Sequence, residues 1–160
     1  VNGFTLGAFT GYFRNRSSGK NITMPYSNYT CHLVLGVIYT QQPNKIDEEK
    51  IYTIDDLPEI VSVVSDFDYI VQEKYKIANS RPGSGNTKNI GSITEIEKLH
   101  NGNGPFAKLG ADIFDDYWMY YQTRDMADGG NTPYSNLKQY VAYKKKLPDA
   151  KLLNTIDEEL

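Results

Sequence analysis

The first strand signal lies near the N-terminus, where apolar and polar positions alternate. Over residues 4–13, Phe4 and Leu6 are separated by smaller or polar residues, a pattern typical of a half-buried β-strand. Gly7 or Gly11 is expected to bend or bulge this strand, because glycine inside a strand often marks such an irregularity. The pattern therefore predicts one short, irregular strand.

Two further segments carry strand patterns. Residues 31–40 form an almost continuous apolar run, and its length and β-branched content predict a strand buried on both faces at the centre of a sheet. Residues 65–78 alternate well enough to predict a strand or a strand pair. At the end of the strand predicted over 65–78, side chains would alternate between its two faces. Lys74 and Lys76 would share one face, and Tyr75 and Ile77 would share the other.

Helical periodicity dominates the C-terminal half. Over residues 109–124, large apolar residues recur at every fourth position, which predicts an amphipathic helix with a broad aromatic face. We expect that face to pack in the core. Its members are Leu109, Ile113, Phe114, Tyr117, Trp118 and Tyr121.

Three shorter helical segments are also predicted. A helix over 134–146 would begin with Thr132 as its cap, because a proline follows at the first helical position. A helical turn over 94–99 should end at the glycine-rich segment that follows it. A short helix is expected with Thr53 or Asp55 as its cap.

These elements together predict a mixed β-sheet core flanked by helices, in an α/β or α+β fold. The length of 160 residues points to a single domain over 1–160 with a real core. Residues 147–160 read as an acidic tail, and no internal repeat or domain linker is apparent.

Composition narrows the class of protein without identifying a partner. The charged fraction of 23% and the hydrophobic fraction of 39% are those of an ordinary soluble chain. A net charge of -3 gives no global signal for a polyanionic partner. Cys31 is the single cysteine, so a reducing, cytoplasmic compartment is expected. No apolar run approaches the ~20 residues of a membrane span, so no membrane partner is expected.

A glycine-rich loop over residues 81–92 is the stretch richest in ligand-contacting groups. It holds three glycines, two asparagines, two serines and a threonine, which supply hydrogen-bonding groups and a backbone open to close approach. It matches neither the phosphate-binding Gly-x-x-x-x-Gly-Lys motif nor the dinucleotide fingerprint, since Gly83-x-Gly85 lacks the third glycine. A long polar turn and a ligand-contact loop both remain open. The basic loop over 14–21 is likewise open to a solvated turn or to phosphate contacts.

Catalytic constellations are scarce. His32 lies in an apolar strand, which favours a core histidine, and His100 lies at a helix end, where a capping role is expected rather than catalysis. Glu48-Glu49-Lys50 has a Glu-x-Lys spacing, but no Pro-Asp element precedes it, so we interpret it as a surface charge cluster. No Cys/His cluster has metal-ligand spacing. The residues alone therefore predict no metal site and leave the catalytic residues unknown.

Four colinear blocks resemble the EcoRV-type type II restriction endonucleases, over residues from about 3 to 146. The most specific block is an eleven-residue run with one departure, at Lys88. The blocks are Phe4-Thr5-Leu6-Gly7-x-Phe9-Thr10, Tyr29-x-x-His32-x-x-x-Gly36-x-x-Tyr39-Thr40, Gly83-Ser84-Gly85-Asn86-Thr87-x-Asn89-Ile90-Gly91-Ser92-Ile93 and Asp116-Tyr117-Trp118.

The resemblance implies a homodimeric, Mg²⁺-dependent enzyme that cuts double-stranded DNA at a short palindrome similar to GATATC. It implies that the loop matching 83–87 reads bases in the major groove. The base-reading residues would be Gly83, Ser84, Gly85, Asn86 and Thr87. Three further positions would contact the DNA backbone and set register, namely Thr10, Lys20 and Asn89.

Departures from the family pattern shape the functional hypotheses. The Pro-Asp and Asp-x-Lys catalytic elements of the family lie upstream of the position matching Phe4, and no residue of these 160 corresponds to them. We therefore expect the DNA-recognition portion of such an endonuclease, with a restriction-endonuclease-like core that is incomplete at its N-terminus and with Mg²⁺ ligands outside this chain. The alternatives are a truncated or degenerate remnant that binds DNA without cleaving, and a small-molecule phosphate-binding domain.

Overall fold

The computed structural model describes residues 3–9, 28–43, 47, 49–83 and 88–147. The described residues form five strands, all of them in the first two thirds of the chain, and four α-helices, three of which follow the last strand. The strands are β1 (Thr5–Ala8), β2 (Leu33–Gln41), β3 (Val64–Glu73), β4 (Ala78–Pro82) and β5 (Asn89–Ser92). The α-helices are α1 (Lys74–Ile77), α2 (Ile96–Asn101), α3 (Ala111–Tyr120) and α4 (Leu137–Lys144). Short 3₁₀ helices cover Ile54–Glu59, Arg124–Met126 and Asp128–Gly130.

This arrangement confirms the α+β class, but the strands form two sheets rather than one. β1, β5 and β4 form an antiparallel three-stranded sheet with β5 in the middle. β2 and β3 form a separate two-stranded sheet. The chain divides into a larger compact unit, Val1–Val34 with Gln72–Leu160, and a smaller one, Leu35–Val71. None of the helices in the described ranges is long and apolar enough to cross a membrane.

The predicted irregularity of the first strand is confirmed at one of the two glycines. Gly7 has φ 99°, a value that glycine tolerates and other residues rarely adopt. The pairing register of β1 with β5 shifts between Thr5 and Ala8, across this glycine. The bulge redirects the chain as it enters Phe9, which is fully buried.

The aromatic core predicted on the long helix is confirmed. Tyr117 and Trp118 on α3 are fully buried, and Phe106 packs edge-to-face on Tyr117 at 5.2 Å between ring centroids. The Tyr134 ring also packs in this cluster, with its centroid 5.1 Å from that of Tyr117. Aromatic pairs at such separations contribute about 0.5–1.5 kcal/mol beyond the area that they bury. This cluster is the centre of the larger unit.

A buried polar network holds α4 against α3. The Tyr140 hydroxyl donates to the Asp116 carboxylate at 2.5 Å, and Lys144 Nζ lies 3.0 Å from the same carboxylate oxygen. The N-cap of α4 is Asn136, whose side chain accepts a hydrogen bond from the Gln139 backbone amide. The prediction of Thr132 as the cap is therefore wrong, because the helix starts one turn later than the sequence pattern suggested.

The predicted Thr53 cap and the glycine-rich stop of the helical turn are confirmed, but α2 lies two residues later than 94–99 and α3 is shorter than 109–124. The 3₁₀ helix over Ile54–Glu59 is capped by Thr53, whose backbone amide and hydroxyl both donate to Asp56. α2 ends at Gly102, which adopts a left-handed φ of 62° as its C-cap.

The prediction that residues 31–40 are buried on both faces is wrong. Alternate side chains of β2 and β3 in the smaller unit leave one face of their sheet exposed. Leu35, Tyr69 and Val71 are each more than 60% exposed, whereas Ile70 on the other face is 2% exposed. A continuous apolar run favours burial, but it does not show whether other elements cover both faces of the sheet. The exposed large side chains of this face are Leu35, Val37, Tyr39, Phe67, Tyr69 and Val71.

The strand predicted over 65–78 ends earlier than expected. Residues 74–77 form the single helical turn α1 rather than a strand, so the assignment of Lys74 and Lys76 to one strand face is wrong. Lys74 is buried, and its backbone amide donates to the His32 carbonyl at 2.8 Å. The chain then re-enters extended structure as β4.

Candidate nucleic-acid interface

The glycine-rich loop is presented by an antiparallel hairpin. β4 leads into it and β5 leads out, with Pro82 opposite Ile90. The Gly83 amide donates to the Asn89 carbonyl at 2.9 Å, which closes the base of the loop. Ser84, Gly85, Asn86 and Thr87 lie outside the described residues. The structure therefore defines both ends of the loop.

Two glycines face each other at this stem and allow its strands to come unusually close. A Cβ on Gly91 would lie 3.0 Å from both the Arg81 carbonyl oxygen and Gly83 Cα. A Cβ on Gly83 would lie 2.9 Å from the Thr5 side chain on β1. Any larger residue at either position would push backbone atoms apart, so the loop geometry depends on both glycines.

β1 fixes the other side of the stem. The Phe9 amide donates to the Lys88 carbonyl and the Ser92 amide donates to the Phe4 carbonyl, each at 2.9 Å. The Phe9 ring is buried against Trp118, with centroids 5.1 Å apart. The residue that follows Phe9 is Thr10, a predicted DNA-backbone contact. Thr10 and Lys20 lie outside the described residues, whereas Asn89 is half-buried in β5.

Two exposed cations flank the loop. Arg81 lies at its entrance on β4, and Lys88 lies at its exit just before β5. Among the described residues, neither forms an ion pair, whereas Lys50 and Lys98 do. Burial raises the pKa of Tyr121, and the positive charge of Arg81 acts against that rise. Sequence analysis placed Arg81 at the start of the glycine-rich loop and gave it no role, because the local pattern does not show which charges form ion pairs in the folded chain.

The described residues assemble no metal centre. They contain no group of three His, Cys, Asp or Glu side chains that could hold a metal ion. Lys50 forms surface ion pairs with Asp56 at 3.5 Å and with Glu59 at 3.3 Å, which agrees with the interpretation of that stretch as a charge cluster.

A second polar cluster lines a cavity of about 90 Å³ in the larger unit. His32, Lys74 and Asp115 all contribute to its wall. Burial lowers the pKa of Lys74 to about 8, and the Asp115 carboxylate opposes this shift. Burial, followed by the charge of Lys74, lowers the pKa of His32. The cavity wall thus places a buried lysine near a half-buried carboxylate and a half-buried imidazole.

The lowered pKa of Lys74 predicts a pH dependence of stability. The unfolded chain binds this proton up to the ordinary lysine pKa of about 10.4, whereas the folded chain releases it near pH 8. The contribution of Lys74 to the free energy of unfolding should therefore rise between pH 8 and about 10.4.

Urea denaturation at several pH values measures this contribution. The difference in unfolding free energy between the native chain and Lys74→Met should grow in favour of the native chain over that window. A difference that stays constant from pH 7 to 10.5 would show that Lys74 titrates normally. Lys138→Met, at an exposed lysine on α4, is the control.

Comparison with known proteins matches this chain to one family. The family model of the restriction endonuclease EcoRV matches residues 1–145. The type II restriction enzyme EcoRV of Escherichia coli is 36% identical over 138 residues, which cover 86% of this chain and 54% of that enzyme. The chain thus spans about half the length of this relative. With a family match over nine-tenths of its length, the chain belongs to the EcoRV restriction endonuclease family.

Proposed function

We propose that this chain recognises a specific double-stranded DNA sequence as part of a type II restriction endonuclease. The observation that carries the proposal is the glycine-paired stem, which presents a polar loop from an antiparallel hairpin. A two-stranded β-ribbon is narrow enough to enter the DNA major groove. The polar composition of the loop supplies the hydrogen-bonding groups that base edges require.

The residue types of the loop suit base reading at a palindrome similar to GATATC. Asn86 can pair bidentately with N6 and N7 of adenine, and the Thr87 methyl can contact a thymine methyl. Backbone amides at Gly83 and Gly85 can approach base edges without interference from side chains. Ser84 completes the reading segment. Thr10, Lys20 and Asn89 are proposed to contact the DNA backbone and to set the register of the protein on the duplex.

The remaining properties concern the whole enzyme. A palindromic site is matched by a symmetric homodimer, because each protomer then reads one half-site. Phosphodiester hydrolysis is proposed to require Mg²⁺, which stabilises the charge developing on the phosphate. Its ligands are not assigned to the described residues. The proposed DNA target and the single cysteine both suit a cytoplasmic protein.

Selection from a pool of random duplexes tests the proposed specificity. The chain is incubated with the pool at moderate salt, and the bound duplexes are recovered and sequenced over several rounds. Enrichment of GATATC or a closely related palindrome is expected. Recovery without any enriched sequence would contradict the proposed reading function.

The flanking cations should determine part of the salt dependence of binding. Each phosphate neutralised by a lysine or arginine contributes about 0.9 to the slope of log affinity against log salt. The double variant Arg81→Gln, Lys88→Gln should therefore lower that slope by about 1.8, equally for specific and random duplexes. Fluorescence anisotropy between 50 and 200 mM salt measures it.

Lys138→Gln provides the comparison for this experiment, since Lys138 is an exposed lysine on α4 without an ion pair among the described residues. Its slope should equal that of the native chain. A double variant with an unchanged slope would show that Arg81 and Lys88 do not contact phosphates.

A further inference from the structure

A hydrogen bond links the long helix to the strand that enters the loop. The Tyr117 hydroxyl on α3 donates to the Ser80 carbonyl on β4 at 2.7 Å. Ser80 lies three positions before Gly83, within the strand that forms one side of the loop stem. The contact joins residues 37 positions apart, so it ties the helical core directly to the loop.

The strand needs such a contact at this point. The pairing register of β4 with β5 shifts between Ala78 and Pro82, and Ser80 lies at the middle of that stretch. Regular ladder hydrogen bonds are disrupted where the register shifts. The phenol of Tyr117 therefore anchors the backbone of β4 where its pairing with β5 is irregular.

Tyr117 is itself held rigidly. Its side chain is fully buried, and its backbone carbonyl accepts a hydrogen bond from the Tyr134 hydroxyl at 2.6 Å. Its ring contacts those of Phe106, Trp118 and Tyr140, with centroids 5.2 to 5.3 Å apart. Because the Tyr117 ring is packed this tightly, its hydroxyl holds the Ser80 carbonyl of β4 at a fixed position relative to α3.

We propose that Tyr117 is a positioning residue for DNA recognition: its hydroxyl fixes β4 and thereby sets the geometry of the loop that reads bases. This inference rests on the proposed function of that loop. Tyr117 is not proposed to contact a base or a phosphate. It acts through Ser80 and the Gly83–Asn89 closure, so its loss should affect specific binding more than random binding.

Replacement by phenylalanine isolates the hydroxyl, because Tyr117→Phe keeps the ring and its packing. Affinity for a duplex that contains GATATC should fall about 3- to 10-fold, the effect of one neutral hydrogen bond. Affinity for a random duplex should stay unchanged.

Tyr140→Phe is the matched control. It also removes a buried phenol hydrogen bond, but that bond joins α4 to Asp116 on α3 and does not reach the sheet. This variant should lower the melting temperature without changing the ratio of specific to random affinity. Equal losses of that ratio in both variants would show that Tyr117 supports the core in general, and the positioning role would be wrong.

Hydrogen exchange at the Gly83 amide gives a readout that needs no DNA. This amide donates to the Asn89 carbonyl, so its exchange reports opening of the loop stem. Tyr117→Phe should speed exchange at Gly83 several-fold relative to Tyr140→Phe. Tyr134→Phe, which removes the donor to the Tyr117 carbonyl, should have a smaller effect in the same direction.

DNA affinity and hydrogen exchange at Gly83 together distinguish failure of the proposed function from failure of the positioning role of Tyr117. If the native chain fails to distinguish GATATC from random DNA, the proposed function is wrong, and Gly83 exchange still decides whether Tyr117 positions the stem. If discrimination is present but neither exchange nor the affinity ratio responds to Tyr117→Phe, the positioning role alone is overturned.

Discussion

Asn86→Ala should remove about 1–3 kcal/mol of discrimination at one base pair of the recognised sequence, a 5- to 150-fold change in relative affinity. Within the proposed base-reading segment 83–87, Asn86 is the side chain that can satisfy both N6 and N7 of adenine. Alanine offers neither group, so an adenine at that position would leave its hydrogen-bonding edge unmatched. Competition binding between GATATC and duplexes substituted at single positions measures the loss.

The test of discrimination needs a second variant that weakens DNA binding without reducing the preference for one sequence over another. Lys20→Ala should reduce affinity for all duplexes alike, because a phosphate contact carries no sequence information. If Asn86→Ala and Lys20→Ala act equally on specific and random DNA, the loop does not read bases.

Gly91→Ala should reduce specific binding at least 10-fold and lower the free energy of unfolding by about 1–3 kcal/mol. The added Cβ would meet the Arg81 carbonyl oxygen and Gly83 Cα at 3.0 Å. These are backbone atoms on the opposite strand, which cannot rotate away as a side chain can. The stem must widen, and the loop would leave the geometry in which it reads bases.

Gly104→Ala controls for the general cost of overpacking. Its added Cβ would lie 2.6 Å from the Lys76 carbonyl oxygen, in a turn that does not belong to the loop stem. It should destabilise the fold by a comparable amount while leaving the ratio of specific to random affinity unchanged. If Gly91→Ala retains full discrimination, the close glycine pair is not required for recognition.

The aromatic core could be predicted from the sequence because helical periodicity indicates which face of a helix is buried. Tyr117 and Trp118 occupy the face that the pattern indicated, and both are fully buried. Periodicity could not show that the Tyr117 hydroxyl reaches Ser80. That contact depends on how α3 crosses the sheet, which is a tertiary property.

The strand β5 was missed for a local reason. Asn89, Gly91 and Ser92 are poor strand formers, and the stretch therefore reads as part of the loop. In the structure, Ile90 is fully buried, and β5 pairs on one side with β1 and on the other with β4. Tertiary pairing overrides weak local propensity here, and the glycine that weakens the strand is the one that the close stem requires.

The candidate site was predicted from residue types and from the family pattern rather than from geometry. The structure adds that Gly83 and Asn89 close the base of the loop and that Phe9 joins β1 to Lys88. The role proposed for Arg81 came from the structure, because only the fold shows that Arg81 forms no ion pair with another described residue.

Specific DNA recognition by this chain is measured by the ratio of its affinities for a GATATC duplex and for a scrambled duplex of the same length. It is measured by titration at physiological salt, without added metal, so that binding is separated from cleavage. Specific recognition predicts a ratio of about 10³ or more. A ratio near one at every salt concentration would contradict it and would reduce the chain to a protein that binds DNA through charge alone.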